Sequence, residues 1–437
     1  MLFYFVVSNK ICTFAAKSKY MEKELFRTII AENQEYIGRI PLVQRPLDLE
    51  EYGNYVFVGV RQAGKSYLLY QRIQQLLANG VEIENIVYIN FDDERLQGMS
   101  VTDFDLILQA YHSMYDSQPI FFFDEIQNVE GWANFARRLA NQKYRVYITG
   151  SNAKMLSRDI ETVLGGRYLD ISVFPYSFSE YLKAVGVLVT KNWQYGRKAN
   201  ELQRHFRTYF DWGGFPELVH FQEKRVWLNS LYNRIFFNDL VVRHKVKNED
   251  ALRLCVRRLA ESVKQPCSLN RLSNLIKATG TPCSPSTVME YVRYLQESCL
   301  LISIDNYASK FVEKETIKKH YFVDNGLLHL FINNPNISLL ENLCTITLYK
   351  KYGKGLYYYN RNIEVDFYVP DEGLAVQASY QMSDEETIER EVKALVTLHG
   401  LYPLKRAMII TYEDEGEIVR DGLKIEIRPA WKWVLEG

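Results

Sequence analysis

Short, unbroken apolar runs alternate with helix-compatible stretches in the first half of the chain. These runs are rich in aromatic and β-branched residues, and they occupy residues 55–58, 86–91, 120–123 and 145–149. Such a run is typical of a strand that is buried on both faces of a parallel sheet. The stretches after the first two runs, residues 67–77 and 102–115, predict helices. The pattern therefore predicts an α/β fold in which a parallel sheet is flanked by helices.

The first run leads into a phosphate-binding loop, because residues 59–66 fit G-x-x-x-x-G-K-[ST] without a mismatch. Glycines without a Cβ let backbone N–H groups wrap around phosphates, and the dipole of the following helix adds to the field. Lys65 offers a charge to the β- and γ-phosphates, and Ser66 offers a hydroxyl to Mg²⁺. The alternative, a glycine-containing turn with a surface lysine, is disfavoured by the flanking strand and helix. The predicted nucleotide-binding residues here are Gly59, Val60, Arg61, Gln62, Ala63, Gly64, Lys65, Ser66 and Tyr67.

The third run ends in two carboxylates, Asp124 and Glu125. Many strands end in acidic turns, but this one lies about sixty residues after a phosphate-binding loop and is followed by a further strand, as in a Walker B motif. Asp124 is predicted to hold Mg²⁺ together with Ser66. Glu125 is predicted to orient or deprotonate an attacking water, so Lys65 and Glu125 are the predicted catalytic pair.

The fourth run leads into Gly150, Ser151 and Asn152. A polar residue at the tip of the strand beside Walker B is where AAA-type ATPases keep a sensor of the γ-phosphate, and Ser151 and Asn152 are the candidate sensors, with Ser151 also predicted to bind the nucleotide. An ordinary turn or helix cap remains the alternative. Arg167 follows in a Gly-Gly-Arg-Tyr sequence and is the third candidate catalytic residue, as an arginine finger or sensor. Its alternative role is to brace the loop by a salt bridge.

Six segments in this order resemble the prokaryotic AAA-type ATPases that carry a C-terminal domain of unknown function. They are GVRQAGKS, FFFDEIQNVEGW, TGSNAKML, GGRY, FPYSFSEYL and DWGGFPELV. The similarity runs from about residue 37 to the C-terminus, and the last two segments narrow the family. Both also have a plain architectural explanation, because Pro175 breaks the chain before a helix and Gly213-Gly214 ends another. The resemblance implies an ATPase that uses ATP and Mg²⁺.

The resemblance also implies the domain organisation. The predicted units are an N-terminal extension and helix (1–37), an AAA-type ATPase domain (38–222), a helical linker with a winged helix (223–330) and a restriction-endonuclease-like domain (331–437). AAA-type ATPases commonly complete a site with an arginine from a neighbouring subunit. A homo-oligomer in which Arg167 acts in trans is therefore a further expectation.

The linker is predicted as one amphipathic helix over residues 223–247. Helices over 251–263, 268–276 and 284–297, with strands over 300–304 and 320–323, then match the order of a winged helix. Residues 251–304 contain seven Lys or Arg against three Glu, but the third helix carries Arg293 against Glu290 and Glu297. Since non-specific DNA affinity needs several cationic contacts, DNA binding and a purely structural hinge both remain open.

The last unit reads as helix, three strands, helix, strand, which is the core order of PD-(D/E)xK nucleases. Glu341 and Asp366 stand where two metal-binding acids belong, and Glu364 could substitute for a third. The third motif, however, contains Gln377 and Ser379. Without its lysine and one acid the site leaves the metal under-liganded, so this domain is predicted to recognise rather than to cut.

The composition limits the number of domains and the kinds of partner, but it does not indicate a function. The chain has 437 residues, enough for two to four domains, and its 53 Lys and Arg balance 53 Asp and Glu, so any basic surface is local. The six cysteines form no C-x-x-C pair, which favours reduced thiols in a cytoplasmic protein. No apolar run approaches the ~20 residues of a membrane helix, so no membrane partner is expected. Residues 1–20 are predicted to be a mis-called start, with Met21 as the natural beginning.

Two functions from different classes follow. The first is an ATP-hydrolysing enzyme whose nucleotide state moves the two C-terminal units and acts on an unknown client. The second is a nucleotide-gated module that holds DNA or a protein, with incidental hydrolysis. Glu125 favours the first, because a switch that only binds nucleotide does not require it.

Overall fold

The computed structural model describes residues 21–156, 162–310, 313 and 316–436. Residues 1–20, with Cys12 and the predicted false start, lie outside these ranges. In the part of the chain that is described, every helix is too short or too polar to span a bilayer.

The first half of the chain forms a five-stranded parallel sheet in the order β2-β3-β4-β1-β5. The phosphate-binding loop follows β1, which is an inner strand of the sheet. β1 lies between β4 and β5, with Val56 opposite Ile148 and Asp170. The predicted parallel sheet is confirmed. Its strands are β1 (Tyr55–Val58), β2 (Ile86–Asn90), β3 (Ile120–Asp124), β4 (Arg145–Gly150) and β5 (Leu169–Ser172).

Helices cover both faces of this sheet, which is why its strands are apolar throughout. Alternate residues of β1 point to opposite sides: Phe57 packs in one core with Leu69, whereas Val56 packs in another with Phe26 and Ile29. The helices of this unit are Lys23–Tyr36, Lys65–Ala78, Phe104–His112 and Trp132–Asn141.

The segment after β5 is helical, as predicted. The helix Phe178–Ala184 begins with a capping box, in which the Ser177 hydroxyl accepts from the Glu180 N–H and the Glu180 carboxylate accepts from the Ser177 N–H. The helix Gly196–Trp212 follows and ends at Gly213, which adopts φ +79°.

The linker differs from the single amphipathic helix that the sequence predicted. An α-helix, Lys224–Arg234, continues directly into a π-helix, Ile235–Val242. The apolar pattern over eight residues does not separate hydrogen bonds four residues apart from bonds five residues apart, so the change of helix type is not visible in the sequence. Residues 224–242 are called the linker helix below.

The rest of the chain builds one nine-stranded sheet in the order β13-β14-β12-β11-β10-β9-β7-β8-β6. Three helices precede the strand pair β7 and β8, at the predicted positions: Glu249–Glu261, Leu269–Lys277 and Pro285–Glu297. Asp305 and Asn306 of β7 pair in parallel with Tyr357 and Tyr358 of β9. The sheet therefore bridges the predicted boundary at residue 330.

The strands of this second sheet are β6 (Cys267–Ser268), β7 (Leu301–Asn306), β8 (Ile317–Phe322), β9 (Tyr357–Asn360), β10 (Glu364–Val369), β11 (Leu374–Ala378), β12 (Arg406–Thr411), β13 (Gly416–Arg420) and β14 (Leu423–Pro429). Its remaining helices are Asn325–His329, Asn336–Tyr352, Glu385–Leu401 and Ala430–Glu436. The predicted order of helix, three strands, helix and strand is present. The strands β13 and β14 and the last helix extend beyond it.

Candidate functional site

The loop between β1 and the helix Lys65–Ala78 has the backbone that its glycines allow. Gly64 adopts φ +94° at the start of the helix, and Gln62 adopts φ +62°. A Cβ on Gly59 would lie 2.0 Å from the carbonyl oxygen of Val173. Gly59 is thus required by the close passage of the chain after β5, which is a different reason from the phosphate contact that the sequence suggested.

Lys65 lies at the first turn of this helix with its side chain buried. Its Nζ is 3.2 Å from Glu125 Oε1 and 3.3 Å from the carbonyl oxygen of Val60, to which it donates. Two of the three predicted catalytic residues, Lys65 and Glu125, are therefore in contact. An ammonium held at a helix N-terminus beside a loop of backbone N–H groups is suited to bind an anion.

Glu125 leaves the tip of β3 in a left-handed conformation, with φ +52°. Its N–H donates to the Thr149 hydroxyl at 2.9 Å, and the Gln127 amide donates to its Oε2. Burial alone would raise the pKa of Glu125, but the Lys65 ammonium and the Gln127 amide outweigh burial, and the net pKa lies below the ordinary value. These contacts thus favour the ionised form of the Glu125 carboxylate.

Asp124 is buried at the end of β3 and accepts several hydrogen bonds. The Tyr88 hydroxyl donates to its Oδ2 at 2.8 Å, and the hydroxyls of Thr149 and Ser66 also bond to the carboxylate. Burial and the neighbouring Glu125 carboxylate raise the pKa of Asp124. The two predicted Mg²⁺ ligands, Ser66 and Asp124, are thus side by side, and both line the same cleft.

That cleft has a volume of about 200 Å³ and is predominantly lined by charged and polar residues. A hydroxyl and a carboxylate are oxygen ligands of the kind that Mg²⁺ prefers, and the lysine and arginines suit phosphate, so the residues fit both groups. The lining residues are Arg61, Gln62, Gly64, Lys65, Ser66, Tyr67, Asn90, Asp92, Asp124, Glu125, Pro216, Glu217 and Arg234.

Ser151 lies buried just beyond β4, close to the catalytic pair. Gln127 Nε2 donates to its Oγ at 3.4 Å, and Arg243 Nη2 lies 3.5 Å from the same oxygen. Since Gln127 also contacts Glu125, Ser151 is linked to the predicted base through one side chain. The role of Ser151 as a sensor stays a prediction.

Arg167 lies elsewhere. It precedes Leu169, which pairs with Tyr55 at the start of β1, whereas the phosphate-binding loop follows the end of β1. Its side chain is exposed, and its Nη1 donates to the carbonyl oxygen of Gly165. Parallel strands of four residues separate the two edges of the sheet by about 13 Å. Arg167 therefore lies at the opposite edge of the sheet from the phosphate-binding loop.

Two residues that bond to the predicted residue Arg61 or lie beside it, Asp239 and Arg243, were missed by the sequence analysis. Arg61 Nε and Nη2 each lie 2.9 Å from the carboxylate of Asp239, and Arg243 Nη2 donates to the same carboxylate at 2.9 Å. Asp239 is buried in the π-helical part of the linker helix. A carboxylate inside the apolar stretch IFFNDLVV was the available signal, because an aspartate is rarely buried without a partner.

A second buried lysine–carboxylate cluster lies in the nine-stranded sheet. Lys319 Nζ is 3.2 Å from Glu341, 3.1 Å from Glu364 and 3.0 Å from Asp366, and the Tyr321 hydroxyl donates to Glu341 at 2.7 Å. The predicted acids of the last unit thus lie together, around a lysine that comes from β8. Among the described residues no group of three or more Asp, Glu, His or Cys side chains is arranged to hold a metal ion.

The two residues of the third nuclease-like motif, Gln377 and Ser379, hydrogen-bond to backbone groups. Gln377 Oε1 accepts from the Asp366 N–H at 2.7 Å, and its Nε2 donates to the carbonyl oxygen of Glu364. The Ser379 hydroxyl donates to the carbonyl oxygen of Gln381. Both side chains are therefore engaged by backbone groups.

The sheet order, the loop and the Walker B pair define an AAA-type P-loop ATPase domain, and a family model described as "AAA domain" matches residues 52–182. A second model, "Domain of unknown function (DUF8612)", matches residues 203–338. Over 435 residues the chain is 32% identical to the uncharacterized protein MJ1544 of Methanocaldococcus jannaschii, covering 95% of this chain and 96% of that protein. The chain belongs to the family of this archaeal protein.

A bacterial relative and a solved structure extend the comparison. An uncharacterized protein of Haemophilus influenzae is 30% identical over 396 residues, covering 87% of this chain and 94% of that protein. The Walker-type ATPase PABY2304 of Pyrococcus abyssi aligns with 12% identity and a TM-score of 0.42, covering 72% of this chain and 97% of that chain.

Proposed function

We propose that this protein is a Mg²⁺-dependent ATPase of the AAA type whose nucleotide state controls the position of its two C-terminal units. The observation that carries the proposal is the contact of Lys65 with Glu125 beside Ser66 and Asp124, at the mouth of a polar cleft. These are the groups that positioning and charge stabilisation of a transferring phosphoryl group require.

Each residue has a distinct part. Lys65 and the loop 59–66 bind the phosphates, Ser66 and Asp124 would hold Mg²⁺, and the ion supplies charge neutralisation at the phosphates. Glu125 orients a water and takes its proton, since its carboxylate is ionised and fixed by Gln127. Ser151 reports on the terminal phosphate through the same glutamine.

The output of hydrolysis is a movement of the linker helix and the three-helix segment that follows it. We assign that segment as a winged helix and the last unit as a degenerate nuclease-like domain, on element order. The linker helix packs on the segment, because the Arg253 guanidinium lies 4.0 Å from the centre of the Phe236 ring. Two residues beyond the linker helix, His244 stacks on Tyr294 with 3.9 Å between ring centroids. A change at the nucleotide has a direct route to these contacts.

The test is turnover of ATP by the purified protein with Mg²⁺, with EDTA as the control. We expect slow, Mg²⁺-dependent release of phosphate. Absence of turnover under all conditions, while ATP still binds, would instead support the second candidate, a nucleotide-gated module that holds DNA or a protein.

Addition of duplex DNA to the same turnover assay tests whether DNA is the client. Arg293 on the helix Pro285–Glu297 already faces Glu297 at 3.8 Å and lies over Tyr294, which favours a hinge over a DNA-reading helix. We therefore expect duplex DNA to leave turnover unchanged. Stimulation by DNA would identify it as the client.

We further propose that the last unit recognises a partner and does not cut nucleic acid. Lys319 occupies the space between the carboxylates, where a divalent cation would need to bind. Incubation with supercoiled plasmid, Mn²⁺ and ATP should leave the plasmid intact. Nicking that is lost in Asp366→Ala and kept in Lys65→Ala would reveal a working nuclease.

A homo-oligomer is the remaining part of the proposal. Because Arg167 lies at the sheet edge away from its own loop, it would act on the nucleotide of a neighbouring copy. Light scattering with ATP and Mg²⁺ should show an assembly that dissociates on dilution, with loss of turnover. A monomer with undiminished turnover would remove the need for Arg167.

A further inference from the structure

The phosphate-binding loop and the linker helix meet in one ion cluster. Arg61, in the loop, and Arg243, just after the π-helix, both bond to the buried carboxylate of Asp239, at 2.9 Å in each contact. Arg61 is 178 residues away from Asp239 in the chain. The cluster is therefore a tertiary contact between the nucleotide cleft and the segment that leads to the C-terminal half.

Both arginines also face the site. Arg61 lines the cleft together with Lys65, and Arg243 reaches the hydroxyl and the carbonyl oxygen of Ser151, each at 3.5 Å. Ser151 is in turn bonded to Gln127, which holds Glu125. Asp239 itself does not line the cleft, so it can act only through its partners.

We propose that Asp239 is a positioning residue that couples bound nucleotide to the linker helix, and this inference rests on the proposed ATPase function. A triphosphate is an anion that competes with the Asp239 carboxylate for Arg61. As Arg61 turns to the phosphates, its contact with Asp239 weakens and the linker helix is released from the loop. Because such coupling is reciprocal, a displaced linker helix also changes the affinity for nucleotide.

The same geometry predicts that one substitution at this cluster increases the affinity for ATP. Asp239→Asn removes the competing charge but keeps the side-chain volume, so Arg61 becomes available to the phosphates. We expect ATP with Mg²⁺ to bind about 5-fold tighter or more. Damage to the loop would give the opposite result, namely weaker binding.

The experiment measures the ATP affinity of the full-length wild type and Asp239→Asn, together with amide hydrogen exchange across residues 235–242 with and without ATP. In the wild type ATP should increase exchange in this segment, and in Asp239→Asn that response should be lost. Asp250→Asn is the matched control, because Asp250 is an exposed aspartate just beyond the linker. Its affinity and exchange response should equal those of the wild type.

Unchanged or weaker binding by folded Asp239→Asn, or an exchange response that persists in it, would overturn the inference. If Asp239→Asn does not fold, Arg243→Gln is measured instead. In this variant Asp239 has Arg61 as its remaining arginine partner and holds it more tightly, so ATP binding should weaken. Unchanged or tighter ATP binding would contradict the proposal. A wild type that binds ATP without any response in residues 235–242 would refute the coupling while the proposed function stands. A wild type that does not bind ATP would refute both.

Discussion

Two buried lysines of this chain sit against carboxylates, and their surroundings differ. Lys65 contacts one carboxylate, that of Glu125, and a backbone carbonyl at the edge of an open cleft. Lys319 is fully buried and contacts three carboxylates, those of Glu341, Glu364 and Asp366. The first lysine can still take an incoming anion, whereas the second already has more negative charge around it than it can neutralise.

The electrostatic consequences follow from that count. Burial would lower the pKa of Lys319, but Glu341 and the other carboxylates outweigh burial and raise it, so the ammonium is retained. Burial also raises the pKa of Glu341. With one carboxylate partner, Lys65 can still bind a further anion. With three carboxylate partners, Lys319 cannot, and its role is to stabilise the folded chain.

The largest expected effect is on the first cluster. Lys65→Ala removes the charge that we propose binds the phosphates. It should therefore weaken ATP binding by at least ~10³-fold in calorimetry or fluorescent-nucleotide titration, since several charge-assisted bonds are lost together. The matched control is Lys183→Ala, which removes an exposed lysine from the helix Phe178–Ala184. Binding by Lys65→Ala close to that of the control would place the nucleotide elsewhere.

The second cluster should respond in stability instead. Lys319→Met leaves the three carboxylates without their cation and should lower the free energy of unfolding by about 3–5 kcal/mol, with the lower end favoured because Glu364 is half exposed. ATP turnover should change little. The control is Lys318→Met, which removes the neighbouring, partly exposed lysine that pairs with Asp305. Equal losses in both variants, measured by urea unfolding, would show that the Lys319 cluster is not special.

A smaller effect tests whether water is excluded from the buried side chain of His320, which follows Lys319 in β8. Burial lowers the pKa of His320 from its ordinary value near 6.5 to about 4, so the folded protein keeps the ring neutral where the unfolded chain takes up a proton. This residue therefore contributes stability that is present above pH 6.5 and lost as the pH falls towards 4. The loss amounts to about 3 kcal/mol.

His320→Gln isolates that contribution. Because glutamine does not titrate, the difference in unfolding free energy between wild type and variant should shift by that amount between pH 7 and pH 4, to the disadvantage of the wild type. The same substitution at an exposed histidine, His220→Gln, is the control for the exchange of histidine for glutamine itself. Parallel pH profiles of His320→Gln and wild type would mean that water reaches this strand.

The comparison also shows which parts of the molecule can be predicted from the sequence. The strand Ile120–Asp124 and the loop 59–66 were predicted because a buried parallel strand and a phosphate-binding loop each leave a local pattern. The contact of Lys65 with Glu125 follows from two such patterns at the same edge of one sheet. Local signals therefore suffice for the first cluster.

The second cluster and the coupling residue depend on contacts between distant segments. Lys319 comes from β8 and meets Asp366, 47 residues later, through a sheet whose order crosses the predicted boundary between two units. The alternation of β8, which puts Lys319 on the same face as Tyr321, was the available signal. For Asp239 a helical periodicity of 3.6 was assumed where the chain forms a π-helix.

The most direct test of the ATPase assignment is a side-by-side measurement of ATP binding and ATP turnover in Glu125→Gln. Glutamine keeps the size of the side chain and removes the carboxylate that we propose as the acceptor of the water proton. ATP should therefore bind within a few-fold of the wild-type affinity, while turnover falls by at least ~10². Turnover at the wild-type rate in this variant would show that Glu125 is not the base and would contradict the mechanism proposed for the site.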